Sequence, residues 1–485
     1  MKRRMNLVAL ALGLTSVLGA TACVQNVNAA EEGPVYVQYE GAWPAPEGVA
    51  NIIYDTDIAD DVDDAGGLAM LHSYVSEGRA NLLAVVCNSA CLYAAPCAEA
   101  INTYYGRPEI PIGTYKGPSE VTPESYTYCK PVTMKYENTM VDGRDARDAV
   151  DVYREVLASQ PDHSVTIASV GFLTNLTELL NSEPDEYSDL NGVDLVAQKV
   201  KLVCCMGGNF EDFESAEYNF MCDPAAAQLV VEKCPAPIMF SGFEIGINVD
   251  TGERRYEMEE DNPVRLSYDL YLTDDTGLAT RWSWDLTAVM YAVEGLEDYW
   301  TMERGDISVL DDGRVTFEKN EETGSRAFLV AKADVKDVEA RLNEVLIQAK
   351  KDNSDERKFI CIEDKNGRID RRGANGETWG IWSSDNLVSY SNSVGANMSL
   401  DFNGCGIDVY GGLDSDQGMF QVLLDGEEVA VIDTYAEKRV GSQGLYSVHD
   451  LEPGDHTIKL VLLEEKNEAS SDCIIRIDAF RIMEN

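Results

Sequence analysis

The sequence predicts two folds in series: an open, mostly parallel α/β sheet with helices on both faces, then an all-β sandwich. Two observations carry this. From about Asn51 strand-like and helix-like segments alternate, the pattern of βαβ units with parallel strands. Past residues 349–357 helical spacing stops and short alternating segments follow one another between turn signals, the pattern of an antiparallel sandwich. The 485 residues suit two or three domains of roughly 100–200 residues each. A hydrophobic content of 45% is enough to fill their cores.

The first strand is predicted over 51–54, on the run Ile52-Ile53-Tyr54. A helix follows over 65–75, a strand over 82–87, a helix over 94–105 and a brief strand over 110–112. The spacing then predicts an amphipathic helix over 146–158, a strand over 165–169, a helix over 173–180 and a strand over 200–205. A helix over 224–232, a strand over 238–241 and a late helix over 286–293 complete this half. Crossovers are expected to be right-handed and free of knots. In the second half, strands are predicted over 398–402, 406–410, 419–424, 428–433, 444–448, 456–463 and 474–482. Asp425-Gly426 and Glu452-Pro453-Gly454-Asp455 mark turns between them.

The predicted boundaries are an export signal over 1–22, a flexible linker over 23–48, an α/β domain over 49–349, a polar linker over 350–357 and a sandwich over 358–485. The signal rests on Lys2, Arg3 and Arg4 before a twelve-residue apolar run from Leu7 to Leu18. That run is short of the ~20 residues a membrane helix needs. Ala20, Thr21 and Ala22 precede Cys23, which resembles a bacterial lipobox with Cys23 as the lipidated residue. Ordinary cleavage after Ala29 or Ala30 is the alternative. Either way the protein is expected outside the cytoplasm, touching membrane only through a lipid anchor.

Charge and cysteines narrow the partners. The balance of 39 Lys+Arg against 85 Asp+Glu gives −46, which argues against nucleic acid or anionic membrane as a broad electrostatic partner. Cys87, Cys91, Cys97 and Cys129 lie close in sequence and Cys204 and Cys205 are adjacent. None has zinc-site spacing, so buried thiols with a disulfide or two are expected.

The chemistry concentrates in Asp55-Thr56-Asp57-Ile58-Ala59-Asp60-Asp61-Val62-Asp63-Asp64, six carboxylates in ten residues between a strand and a helix. Such crowding is tolerated when solvent or a cation separates the charges. A calcium ion takes six to eight oxygen ligands; a solvated acidic turn is the other reading.

Five further segments accompany this loop in order: Cys87-Asn88; Val170-Gly171-Phe172-Leu173-Thr174-Asn175-Leu176; Met206-Gly207-Gly208; Ala216-Glu217-Tyr218-Asn219 with Asp223-Pro224-Ala225-Ala226; and Trp284-Asp285. With Asp55, Asp57, Asp63 and Asp64 they resemble the calcium-dependent nucleoside hydrolase family of the inosine–uridine-preferring type. The loop here is expanded by two residues and has Ala59 where that family has Gly.

The resemblance spans residues 50 to 300 and implies roles. Asp57, Asp64 and Asp285 would hold Ca²⁺ with the Val170 carbonyl, and Asp57 would also deprotonate the attacking water. Asp63, Asn88, Glu217 and Asn219 would bind the sugar hydroxyls. Asp60 and Asp61 compete with Asp63 and Asp64 for the metal, because the expanded loop leaves its register open. Asn88 and Asn219 have a second reading as turn or cap residues, and Glu217 as a solvated charge. Asn209 and Glu244 follow strand ends and are further candidates for the pocket. Trp284 stands where the family has His, so it stacks on a planar base or fills the core. His72, His163, His449 and His456 all fall outside the motifs, and no leaving-group acid is visible.

The segment from Phe359 to Met483 resembles jelly-roll sugar-binding modules with a galactose-binding-like fold. The likeness rests on Gly406-Ile407-Asp408-Val409-Tyr410-Gly411, Val422-Leu423-Leu424-Asp425-Gly426, Gly454-Asp455-His456-Thr457-Ile458 and Ile477-Asp478-Ala479-Phe480. Trp379, Trp382, Tyr390, Tyr410 and Tyr435 either stack on a glycan or fill the sandwich core. The expectation is an exported, calcium-dependent N-glycosidase acting on a small nucleoside or pentoside. Its rivals are hydrolysis of another glycoside and a non-catalytic nucleoside- or sugar-binding lipoprotein. Since every site motif precedes residue 300, the sandwich is expected to be dispensable for turnover of a small substrate.

Overall fold

The structure, a computed structural model, describes residues 43–45, 48–59, 61–117, 128–272, 279–349, 358–373, 380–382 and 388–484. The export signal, Cys23, most of the 23–48 linker, Asp60, the 350–357 linker and Trp379 lie outside the described residues.

The first half forms strands β1 (Ala50–Thr56), β2 (Ala80–Cys87), β3 (Ile112–Thr114), β4 (Arg147–Asp148), β5 (Val165–Ser169), β6 (Val200–Met206) and β7 (Ile238–Ser241). After these come β8 (Asp250–Thr251), β9 (Arg281–Trp282), β10 (Trp300–Val309), β11 (Val315–Lys319) and β12 (Arg326–Ala331). Ten of them make one sheet in the order β11-β10-β12-β7-β6-β5-β1-β2-β3-β4. From β12 to β4 every neighbouring pair is parallel, and β10 runs antiparallel to both β11 and β12. The strands alternate sides as a pleat requires: Ile52 and Tyr54 join one apolar layer, Ile53 the opposite one. Helices cover both, as expected for a mostly parallel sheet.

The observed elements match the expected ones closely, with β3 displaced two residues toward the C-terminus. The structure adds helices Cys129–Lys135, Gly192–Lys199, Pro263–Tyr271 and Val335–Leu346 and the strands β10 to β12. Among the described residues, no helix is long and apolar enough to cross a membrane.

The second half is all β. One sheet runs Gly380–Trp382, Val388–Ser391, Ile475–Met483, Gly406–Leu413 and Val440–Val448, with Phe359–Glu363 also paired to Ile475–Met483. The other runs Ile369–Arg372, Asn397–Gly404, Gly454–Leu462, Met419–Leu424 and Glu427–Asp433. Neighbours within each are antiparallel. Side chains such as Met398, Phe402, Val409, Phe420 and Ile477 fill the core between them. Asp425 (φ 53°) and Gly426 (φ 87°) make the two-residue hairpin turn, which needs positive φ at both positions. Tyr410 is fully buried and its hydroxyl donates to the Val141 carbonyl at 3.0 Å, so it belongs to the seam with the first half and not to a sugar-stacking surface.

The cysteine expectation holds only in part. Among the described residues all eleven cysteines are free. Seven are buried, including Cys87, Cys91, Cys97 and Cys129, and pack as small apolar side chains. Burial pushes the Cys129 thiol well above its ordinary range, with the neighbouring thiols of Cys91 and Cys97 adding to the shift.

Candidate functional site

The chain lays down β1 to β4 outward in one direction, then returns to place β5, β6 and β7 on the other side of β1. The switch point lies between β1 and β5, where an open α/β sheet parts its loops at the strand carboxyl ends. Asp57 leaves β1 there, Asn88 leaves β2, Val170 leaves β5, and Met206 ends β6.

Asp55 faces inward and anchors this end of the sheet. Its carboxylate accepts hydrogen bonds from Asn88 Nδ2 (2.7 Å), Tyr153 OH (2.7 Å) and Asn175 Nδ2 (3.1 Å). Burial pushes its pKa up to about 7 against those three donors. Gly171 completes the cradle. A Cβ there would lie 2.6 Å from the Asp57 nitrogen, 2.7 Å from Asn88 Oδ1 and 2.7 Å from Asp57 Oδ1, so only glycine lets the loop after β5 approach this closely.

The helix Asp63–Ser76 begins with the paired acids. Asp64 accepts from the Thr56 hydroxyl, and the Tyr54 hydroxyl donates to the Asp64 carbonyl at 2.9 Å. Asp63 Oδ2 accepts from the backbone N–H groups of Trp284 (3.0 Å) and Asp285 (3.2 Å). This ties the start of one helix to the start of another, Trp284–Glu294. As a result one carboxylate oxygen each of Asp63, Asp64 and Asp285 lies within 4.8 Å of the others, and all three residues are buried. Burial first, then the charges of nearby acids, holds all three well above the usual carboxylate range: Asp57 and Asp61 act on each, and Asp64 and Asp285 also feel Asp63. Buried like charges of this kind demand a proton or a cation. An all-oxygen donor set fits a hard cation and not zinc or copper.

The loop register follows from Asp61. Its carboxylate is paired with Arg281, whose Nε sits at 2.8 and 2.9 Å from its two oxygens. Asp61 is thereby paired with Arg281 at the same cavity, and Asp63 and Asp64 form the three-acid group with Asp285. Ala59 takes φ 156°, at the edge of the region glycine favours.

These acids floor a cavity of about 330 Å³. Asp57, Val170, Glu217 and Asn219 line it beside them, and Tyr218, Phe243, Tyr271, Arg281 and Trp284 form its wall. Asn219 Nδ2 donates to the Val170 carbonyl at 2.9 Å. Glu217 is not a solvated charge. It is 3% exposed and caps the helix Tyr218–Cys222, accepting from the N–H groups of Asn219 (2.8 Å), Phe220 (3.2 Å) and Gly208 (3.3 Å). Burial still pushes its pKa up to about 7. Trp284 stacks on Phe243 with ring centroids 5.7 Å apart and donates its indole N–H to the Phe243 carbonyl at 2.8 Å. The Arg281 guanidinium lies 5.2 Å from the Trp284 ring centroid.

Of the residues predicted from sequence, Asp57, Asp63, Asp64, Val170, Glu217, Asn219, Trp284 and Asp285 converge on this cavity. Asn88 lies just behind it, accepting from the Phe172 N–H at 3.2 Å. Asn209 and Glu244 line an adjoining recess of about 350 Å³ that shares Phe243. Sequence reasoning missed Tyr271, Arg281 and Phe243. They carry no motif, and only folding brings them to the rim.

A family model for inosine-uridine preferring nucleoside hydrolase matches residues 52–342. The chain belongs to this family. An uncharacterized protein of Schizosaccharomyces pombe is 30% identical over 122 residues, covering 24% of this chain. The match spans 36% of that curated relative's length. Among solved structures, a plant nucleoside hydrolase is 19% identical, covering 61% of this chain and 99% of its own, with a TM-score of 0.47. A purine-preferring ribonucleoside hydrolase from Gardnerella vaginalis is 16% identical over 62% of this chain and 99% of its own, with a TM-score of 0.48. The family match runs from within β1 past β12, and so reaches beyond the motifs legible in the sequence.

Proposed function

We propose that the protein is an exported hydrolase that cleaves the N-glycosidic bond of a ribonucleoside or related pentoside with the help of Ca²⁺. The observation that carries this reading is the buried group Asp63, Asp64 and Asp285 on the floor of a cavity walled by aromatic rings. Asp57, Asp64, Asp285 and the Val170 carbonyl would hold the ion. When bound, it supplies positive charge that makes a neighbouring water more acidic.

The chain's own groups do the rest. Asp57 takes a proton from the attacking water as general base. The water oxygen bonds to the anomeric carbon while the carbon–nitrogen bond breaks and its electron pair leaves with the base. The base takes up a proton from solvent, since none of the four histidines lines the cavity. Positive charge building on the sugar ring is stabilised by the surrounding carboxylates. Asp63, Glu217 and Asn219 orient the sugar, with Asn88 bracing the loops behind them, and Trp284 offers an aromatic face to the departing base. Hydrolysis of another glycoside is the second reading, favoured by Trp284 in place of the family's His.

Residues 1–22 would direct export and Cys23 the lipid anchor, with residues 358–485 a separate sandwich that engages a glycan. The decisive experiment is release of free ribose from a panel of nucleosides, with calcium and with a chelator. Calcium-dependent release is expected. No reducing sugar from any member in excess calcium would overturn the reading.

A further inference from the structure

We infer that Tyr128 is a positioning residue for the acidic loop and that the C-terminal sandwich is the anchor behind it. This rests on the functional reading above and contradicts the expectation that the sandwich is dispensable. Tyr128 is fully buried, and its hydroxyl donates to the Asp61 carbonyl at 2.6 Å. Asp61 is two residues before Asp63. Its carboxylate holds Arg281, which lines the cavity beside Trp284. A shift of the Asp61 backbone therefore reaches the three-acid group and the cavity wall together.

Tyr128 directly precedes the helix Cys129–Lys135, and one sandwich strand, Ile475–Met483, grips that helix at both ends. At the first turn Lys130 pairs with the Asp478 carboxylate. At the last, Arg481 donates from Nη1 to the Thr133 carbonyl (3.0 Å) and to Asn138 Oδ1 (2.8 Å). Arg481 is 0% exposed and its Nε donates to Asp408 Oδ2 at 2.7 Å. A buried guanidinium is satisfied only while all its acceptors stay in place, so the helix is held at a fixed height over the loop. Arg144 Nη2 on the Gly444 carbonyl (2.6 Å) and the Gly444 N–H on Asp142 Oδ2 (2.9 Å) extend the seam.

The test uses the full chain. Tyr128→Phe keeps the buried ring and removes only the hydroxyl. Lys130→Met, at a partly exposed side chain, loosens the sandwich's hold without emptying a core. Hydrogen exchange of the amides over 55–64 is read first. Both variants are expected to speed it, and the double variant to add less than the sum of the two, since they act along one path. Calcium titration is read second. The dissociation constant for calcium should rise by roughly 2–10-fold in Tyr128→Phe, the range of one lost hydrogen bond. Unchanged exchange over 55–64 in both variants overturns the inference, even where the melting temperature falls. Faster exchange with unchanged calcium affinity also overturns it, because the brace would then not reach the site. A wild-type chain that binds no calcium defeats the functional reading instead, and the exchange result still decides the link between Tyr128 and the loop.

Discussion

Two regions of this molecule bury charge, and they do so in opposite ways. At the seam between the α/β domain and the sandwich, buried acids are matched by bases. Asp408 lies between Arg481 and His449, and Asp478 meets Lys130. At the switch point between β1 and β5, Asp63, Asp64 and Asp285 face one another, and among the described residues no basic side chain pairs with any of them. Arg281 stands close by, yet it is spent on Asp61. A matched buried pair is self-sufficient and serves the fold. An unmatched group is costly as it stands and pays off only when something else arrives. The contrast thus separates architecture from function without reference to any motif.

The largest effect expected is on rate. Asp57→Asn keeps the shape and one oxygen donor at the site but removes the base. Turnover should fall by roughly 10²–10⁴-fold while calcium affinity drops modestly, as read by steady-state kinetics beside calorimetric titration. If turnover instead returns at high calcium, Asp57 serves the metal alone.

At the matched seam, Arg481→Met leaves Asp408 buried with only His449. Stability should drop by about 3–5 kcal/mol, the usual cost of breaking a buried pair, measured by urea unfolding. A loss below about 1 kcal/mol would mean that this pair is no better matched than a surface ion pair and would dissolve the contrast.

Asp285→Asn removes one member of the unmatched group. In chelator the variant should melt no lower than wild type, because repulsion is relieved. It should also lose the calcium-induced stabilisation, which for the wild type is about 2.7 kcal/mol at a calcium concentration of 100 Kd. Calorimetry with and without calcium checks both halves.

The smallest effect concerns Glu217, a buried acid whose partners are neutral N–H groups. Its pKa in the folded protein, about 7, is above the ordinary value of a glutamate. The folded state therefore holds the proton more tightly than the unfolded chain does. The contribution to stability is complete below the ordinary glutamate pKa and is lost as pH rises through about 7. Glu217→Gln should flatten that part of the melting-temperature profile between pH 5 and 8 in chelator. An unchanged slope would place the titration elsewhere.

The sandwich strands were legible because each alternates apolar and polar residues between turn signals. The helix Val335–Leu346 was equally legible, with Val338, Leu342, Val345 and Leu346 buried along one face, and was not read because no motif drew attention there. The helix Cys129–Lys135 is different. At seven residues it is too short to form by propensity, and tertiary contacts hold it: buried Cys129, Val132 and Met134 on one side and the Arg481 and Asp478 contacts on the other. Glu217 lines the cavity, but its role as a helix cap needed the backbone of Gly208 and Phe220 to be placed around it.

By itself the sequence determined the mostly parallel α/β half, the all-β half that follows it and the set of acids at the strand ends. All of these rest on local spacing, on the period of 2 or 3.6 and on turn chemistry. Tertiary structure alone decided which acids of the expanded loop stand together, and the reason is electrostatic. Asp61 found Arg281, 220 positions away in the chain, and was paired with a base. Asp63 and Asp64 found Asp285 and were not. Spacing within ten residues carries no record of where a distant arginine will come to rest, so the register of the site was set by the fold.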